Sequence, residues 1–407
     1  MINLGIERVQ NLIARNNANL WIMYCDEKSD PYFIKYISSK TIVPAIALIN
    51  KDNCFLIVNS LDSDNLKEVG QNVSVLVYEN ENQMIDLIKQ SIIKLNYPSP
   101  ISLSYTTMND IQTDIIGYGT YLYLNDILSS IYEKNETYLS FCSAENLIYA
   151  LKDSKDETEL SRMRMAANRA LQILEDTFKK ISVGMSEKEI VDVVHQIFME
   201  KPSYFEKEGV INEEYAWDED LCPIVLVGPS LKKGGHATSS DEVLKKGYTI
   251  YFDFGVTLTF QDGNKVSSDL QRMGYVLNDN EETPPQEVMR VFNTLIDAIE
   301  KGIKNIRHGL KGYEIDKIVR SVILDAGYPD YNHSTGHAIG EEAHNPGALL
   351  GKQEKKQANL TIQLNGVYTI EPRISIINGG SIEEMVQVTE NGGLPLCKPQ
   401  KSLYIIT

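Results

Sequence analysis

The feature that most narrows the possible folds is an internal repeat. Two segments, KKISVGMSEKEIVDVV (179–194) and KNIRHGLKGYEIDKIV (304–319), align without gaps at an offset of 125 residues. Lys179/Lys304, Ile181/Ile306, Gly184/Gly309, Glu189/Glu314, Ile190/Ile315 and Val194/Val319 are identical. Each copy follows a long helical pattern and precedes a strand-rich stretch. The C-terminal part of the chain therefore reads as a duplicated α+β domain with pseudo-twofold symmetry. A groove between two such halves is the natural place for a site.

The preceding part has a different texture. Residues 4–16 read as an amphipathic helix, and WIMYC, AIALIN and CFLIVN are short apolar runs between polar turns, as strands are. ISLSY and YLYLND continue that pattern, with a helical stretch around QMIDLIKQSIIKL between other runs. This predicts an α/β domain over residues 1–148, which carries no chemical constellation, and a second domain over 149–407. The charged run KDSKDETELS opens a long helix in which Leu160, Met163, Ala167, Leu171, Leu174 and Phe178 recur at helical spacing. Ser186 with Glu189 three residues later predicts a capping box for the next helix.

Composition removes several function classes. The 407 residues are 43% hydrophobic and 23% charged, the balance of a globular chain rather than a disordered one. A formal net charge of -17 disfavours binding to a phosphate backbone, and no basic aromatic patch suggests nucleic acid. Apolar runs such as TIVPAIALI reach about half of the ~20 residues a membrane span needs. The opening MINLGIERVQNLIARNNANL lacks the features of a signal peptide, so a cytoplasmic protein is expected. The five cysteines include no CxxC pair, which argues against a disulfide framework or a thiolate zinc cluster.

The chemistry concentrates in the second domain. Asp253 interrupts the apolar, aromatic run TIYFDFGV, where an unpaired buried carboxylate is costly and demands a cation or strong donors. Asp269 in VSSDLQRMGYV, Glu371 in GVYTIEPRI and Glu383 in GGSIEEMVQV repeat the pattern, in what read as four strands. His236, His333, His337 and His344, four of the six histidines, lie in the same region. Convergent oxygen ligands with one imidazole suit Mn²⁺, Fe²⁺, Co²⁺ or Zn²⁺. Four carboxylates exceed the charge of one divalent ion. Two ions ~3.5–4 Å apart balance that charge and activate water near neutral pH.

These residues and their flanks resemble the pita-bread metallopeptidases: prolidase, aminopeptidase P and methionine aminopeptidase. That family carries ligands in the order Asp, Asp, His, Glu, Glu. By motif position they fall here on Asp253 (DFG), Asp269 (SDLQR), His337 (STGHAIG), Glu371 (TIEP) and Glu383 (SIEEMVQVT). The likeness covers roughly residues 150–407, while residues 1–148 look like the smaller N-terminal α/β domain of the prolidase, aminopeptidase P and creatinase branch. The resemblance implies a pita-bread catalytic domain, two divalent metal ions with Mn²⁺ foremost, and a homodimer acting on small peptides. It further implies hydrolysis of an Xaa-Pro bond at a peptide N-terminus by a hydroxide bridging the ions, with Glu371 as ligand and proton shuttle. His236 (GGHATSSD), His333 (HSTGH) and His344 (EEAHNPG) match positions of histidines that hold and polarise substrate. Charge developing on a tetrahedral intermediate needs such donors placed in advance. His195 and His308 lie outside the motifs and take no role.

The chain also departs from the family pattern. Asp253 and Asp269 stand 16 residues apart because TFQDGNKVS is a longer turn than usual, so both strands must keep register around it. Ser381 stands where relatives carry an Arg, with Arg272 or Arg373 as candidate substitutes, and Asn345 follows His344 where relatives carry an acid. Lys352, Lys355, Lys356 and Arg373 are candidates to hold the carboxylate of a dipeptide. Two rival readings are a metal-dependent hydrolase of a small non-peptide amide and an inactive relative that binds peptides. No GxSxG elbow, HExxH helix or Walker loop points elsewhere.

Overall fold

The computed structural model describes residues 2–66, 73–108, 110–218, 220–233 and 237–406. The chain divides into two compact units, Met1–Leu151 and Lys152–Thr407. Among the described residues no helix is long and apolar enough to cross a membrane.

The short apolar runs of the first unit form one six-stranded sheet. Its order is Val73–Tyr78, Cys54–Asn59, Ala45–Ile49, Leu20–Cys25, Ile101–Leu103 and Phe141–Ser143. Cys54–Asn59, Ala45–Ile49 and Leu20–Cys25 pair antiparallel, and the remaining pairings are parallel. Alternation sends Trp21 and Met23 to a core shared with the helix Ile2–Arg15, and Leu20 and Ile22 to one shared with the helices Glu81–Lys94 and Tyr118–Lys134. YLYLND is not a strand, as expected from its pattern, but part of the helix Tyr118–Lys134. Its Tyr/Leu alternation imitates a strand for only a few residues. Leu124, Ile127, Leu128, Ile131 and Tyr132 supply a longer helical stripe, and that stripe is what becomes buried.

In the second unit the sequence repeat appears as matching structure. The helices Glu157–Lys180 and Gln286–Asn305 are each followed by a turn whose glycine is left-handed, Gly184 at φ 98° and Gly309 at φ 92°. The helices Glu187–Phe198 and Gly312–Asp325 come next. Glu189 accepts from the Ser186 N–H at 2.7 Å, and Glu314 from the Lys311 N–H at 2.8 Å. Each helix pair covers its own core, one with Leu174, Ile190 and Phe252, the other with Leu295, Ile315 and Ile370.

The strands bring the two halves together. Thr249–Phe254 lies between Ile224–Val227 and Leu270–Val276 in a four-stranded sheet, and Val367–Ile370, Glu384–Thr389 and Gly392–Pro395 form a three-stranded one. A bridge between Gln271 and Glu383 links them. The long turn after Asp253 is itself a hairpin, Val256–Phe260 against Lys265–Ser267. Register survives it: Phe254 faces Leu270 and Asp253 faces Gln271. The expectation of four carboxylates within strands is met only by Asp253. Asp269, Glu371 and Glu383 each sit one residue beyond a strand end, where strict in–out alternation no longer applies.

Candidate metal centre

Strand alternation puts Tyr251 on the same face as Asp253, and Gln271 faces Asp253 across the ladder, with Asp269 just before the strand that carries Gln271. Two glycines of the motifs then let backbones close in. A Cβ on Gly255 would stand 2.0 Å from the Ser268 carbonyl oxygen, and one on Gly336 would stand 1.9 Å from that of Thr369. The approach at Gly336 lays residues 335–337 along Val367–Ile370. The Thr369 N–H donates to the His337 carbonyl at 2.9 Å and the Glu371 N–H to that of Thr335 at 2.7 Å. His337 is thereby carried to the carboxylates.

The resulting cluster is tight. His337 Nε2 lies 3.8 Å from Asp269 Oδ2 and 3.8 Å from Glu371 Oε1. Asp269, His337 and Glu383 each offer an atom within 4.8 Å of the others. Gln271 Nε2 donates to Asp253 Oδ2 and Glu371 Oε2, both at 3.1 Å, and the Tyr251 hydroxyl donates to Asp253 Oδ2 at 2.8 Å. Asp253, Asp269, His337 and Glu371 line a cavity of about 460 Å³. Glu383 joins them through Asp269 and His337. Trp217, Leu221, Ile224 and Leu349 add an apolar wall to the same cavity.

The electrostatics call for cations. Asp269 is 5% and Glu383 1% exposed. Among the described residues, no donor reaches Asp269 Oδ1 or either carboxylate oxygen of Glu383. Burial, then repulsion from Asp253 and Glu371, holds Asp269 well above the carboxylate range. Burial, Asp269 and Glu371 do the same to Glu383. Glu371 is pushed up to about 8 by burial and by Asp253. Burial, helped by His344, pushes His337 down to about 3 and keeps it neutral. Its Nδ1 faces the Ala338 carbonyl at 3.2 Å; a proton there leaves the Nε2 lone pair free for a cation. Orphaned buried oxygens beside a neutral imidazole fit hard or borderline divalent ions.

The remaining predicted residues divide. His344 lines the cavity, its ring centroid 4.5 Å from that of His337. His333 lines it too. Its Nδ1 lies 2.7 Å from the Ser334 carbonyl, and burial pushes it down to about 4. His236 lies outside the described residues. Arg272 is turned away, donating to the Glu383 carbonyl at 2.8 Å and pairing with Glu384 at 3.1 Å. Arg373 and Lys355 border the cavity, whereas Lys352 pairs with Asp330 at 2.8 Å. Tyr251 and Gln271 are the residues that sequence reasoning missed. For Tyr251 the available signal was its two-residue spacing from Asp253 within one strand.

Comparison with known proteins agrees with this geometry. An uncharacterized peptidase of Staphylococcus haemolyticus is 32% identical over 252 residues, which is 61% of this chain and 63% of that protein. The match thus spans less than two thirds of that relative's length. An Xaa-Pro dipeptidase of Pyrococcus horikoshii is 26% identical over 279 residues, covering 67% of this chain and 70% of that protein. An Xaa-Pro dipeptidase structure from Bacillus anthracis shares the fold, with a TM-score of 0.62, 21% identity and 99% of each chain covered. Residues 161–390, more than half of the chain and the span that contains the whole cluster, match metallopeptidase family M24, and the chain belongs to that family.

Proposed function

We propose that the protein is a dinuclear metallopeptidase that hydrolyses the Xaa-Pro bond at the N-terminus of dipeptides or short peptides. The observation that carries this reading is the crowding of Asp253, Asp269, His337, Glu371 and Glu383, with buried carboxylate oxygens that no described donor satisfies. The Xaa-Pro dipeptidase name of the Pyrococcus horikoshii relative supports the choice of bond. Mn²⁺, a homodimer and a cytoplasmic location belong to the same reading.

Divalent ions held by those five residues supply positive charge that lowers the pKa of water and polarises a carbonyl. The other steps fall to the chain itself. Glu371, on the wall of the cavity beside Gln271, accepts a proton at Oε and passes it to the leaving amine. Gln271 and Tyr251 fix the orientation of Asp253 from two sides. His344 donates toward the developing oxyanion. His333, with Nδ1 committed to the Ser334 carbonyl, shapes the cavity that receives the substrate. The apolar wall excludes water around the prolyl ring.

Mass-spectrometric product analysis with Ala-Pro and a longer Ala-Pro peptide, each with a chelator control, tests the reading. Chelator-sensitive release of alanine is expected. No release from either peptide would contradict it and favour a small non-peptide amide as substrate.

A further inference from the structure

A second cavity lies wholly within the first unit and shares no residue with the metal cavity. Its volume of about 390 Å³ is within the range of small-molecule sites. Tyr24 and Tyr78 bring to it the carboxyl ends of the strands Leu20–Cys25 and Val73–Tyr78, where open α/β sheets receive ligands. Glu81 and Tyr123 come from the starts of the helices Glu81–Lys94 and Tyr118–Lys134. Two of the three phenols are pinned. The Tyr78 hydroxyl donates to the Pro44 carbonyl at 2.6 Å, and the Tyr123 hydroxyl to Glu81 Oε1 at 3.0 Å. Among the described residues Glu81 is the one carboxylate of the lining, which holds no lysine, arginine or histidine.

We propose that this cavity binds a small organic cation of the alkylammonium type, held by the Tyr24, Tyr78 and Tyr123 rings and the Glu81 carboxylate. Tyrosine rings attract a cation through their electron-rich faces, and a carboxylate beside them adds charge. Burial, then Asp26, Tyr78 and Glu81, pushes the Tyr24 phenol up, and burial and Glu81 do the same to Tyr123. Both phenols therefore stay protonated beside carboxylates. The Gln83 N–H at the start of the helix Glu81–Lys94 is taken by Asn80 Oδ1 at 3.1 Å, which removes a donor that an anion would use. Pro44 and Met84 supply apolar contact for methyl groups. A phospholipid headgroup fits less well, because its phosphate would meet Glu81 with no basic side chain in the lining to pair with.

Calorimetric titration of the full chain with choline tests this, beside the neutral alcohol in which a quaternary carbon replaces the nitrogen. The wild type is expected to bind choline about 10- to 30-fold more tightly than that alcohol, the strength of a desolvated cation–π contact. Glu81→Gln, at an exposed position, and Tyr24→Leu each lose most of that preference for the charge. Asp253→Asn, in the metal cluster, keeps it. A wild type that binds neither probe, or both alike, overturns the proposal even if Tyr24→Leu fails to fold. So does choline binding that Asp253→Asn abolishes and Glu81→Gln spares, which moves the ligand to the metal cavity. No retention of the protein on phosphatidylcholine vesicles is expected; retention that Glu81→Gln removes would overturn a free cation in favour of a headgroup. Cleavage of Ala-Pro is not part of the readout, so the peptidase reading stands or falls separately.

Discussion

Asp253 and Gln271 face each other across one antiparallel ladder, and the Gln271 amide donates to Asp253 Oδ2 at 3.1 Å. The same Nε2 reaches Glu371 Oε2 at 3.1 Å, so one side chain ties a carboxylate of the first half of the duplicated domain to one of the second. Gln271→Leu keeps the volume and deletes both bonds. Affinity for Mn²⁺ is expected to fall about 10- to 100-fold, measured by calorimetric titration, with a melting temperature close to the wild type. Unchanged affinity would show that Gln271 does not orient the cluster.

The metal-free protein is expected to lose stability as pH rises from 6.5 to 8. Glu371 titrates near 8 in the fold against an ordinary 4.5, and Asp269 and Glu383 are raised in the same direction. Between those values the folded state keeps protons that the unfolded chain has released, so stability falls with pH. His333 and His337, pushed down to about 4 and about 3 from 6.5, act in the opposite sense but only below 6.5. The window above 6.5 therefore isolates the acids. Melts of chelated protein should show a lower Tm at pH 8 than at pH 6.5, a smaller drop in Glu371→Gln, and recovery with Mn²⁺. A Tm that rises across this window would contradict the account.

A buried ion pair on the helix Gly312–Asp325 holds the segment leading to His337. Arg320 donates to Asp316 through Nε at 2.9 Å and Nη2 at 2.6 Å, and to the carbonyls of Tyr331 at 2.7 Å and His333 at 3.1 Å. Asp316 also accepts from Thr335 Oγ1 at 2.6 Å. Arg320→Met strands Asp316 and should cost about 3–5 kcal/mol, read from the denaturant midpoint. A cost below about 1 kcal/mol would place the pair with ordinary surface salt bridges.

Much of this site was legible in the sequence because it requires rare events. A carboxylate in the apolar run around Asp253 has few explanations other than a cation or strong donors. The duplication was legible for a related reason, since Gly184 and Gly309 occupy the same left-handed turn in both copies. Cross-strand geometry was not. Nothing local in the sequence pairs Gln271 with Asp253, and charge alone could not separate Arg272 from Arg373. Position separates them: Arg272 pairs with Glu384 away from the cavity, and Arg373 borders the cavity. The Tyr118–Lys134 helix was misread because four alternating residues at its start outweighed the longer stripe behind them.

Metal content and turnover, measured on the same preparations of wild type, Asp253→Asn and His337→Ala, test the central claim most directly. The account predicts about two divalent ions per chain and chelator-sensitive cleavage of Ala-Pro in the wild type, with both reduced or lost in variants that keep the wild-type circular dichroism. A folded His337→Ala variant with wild-type metal content and wild-type turnover would contradict it.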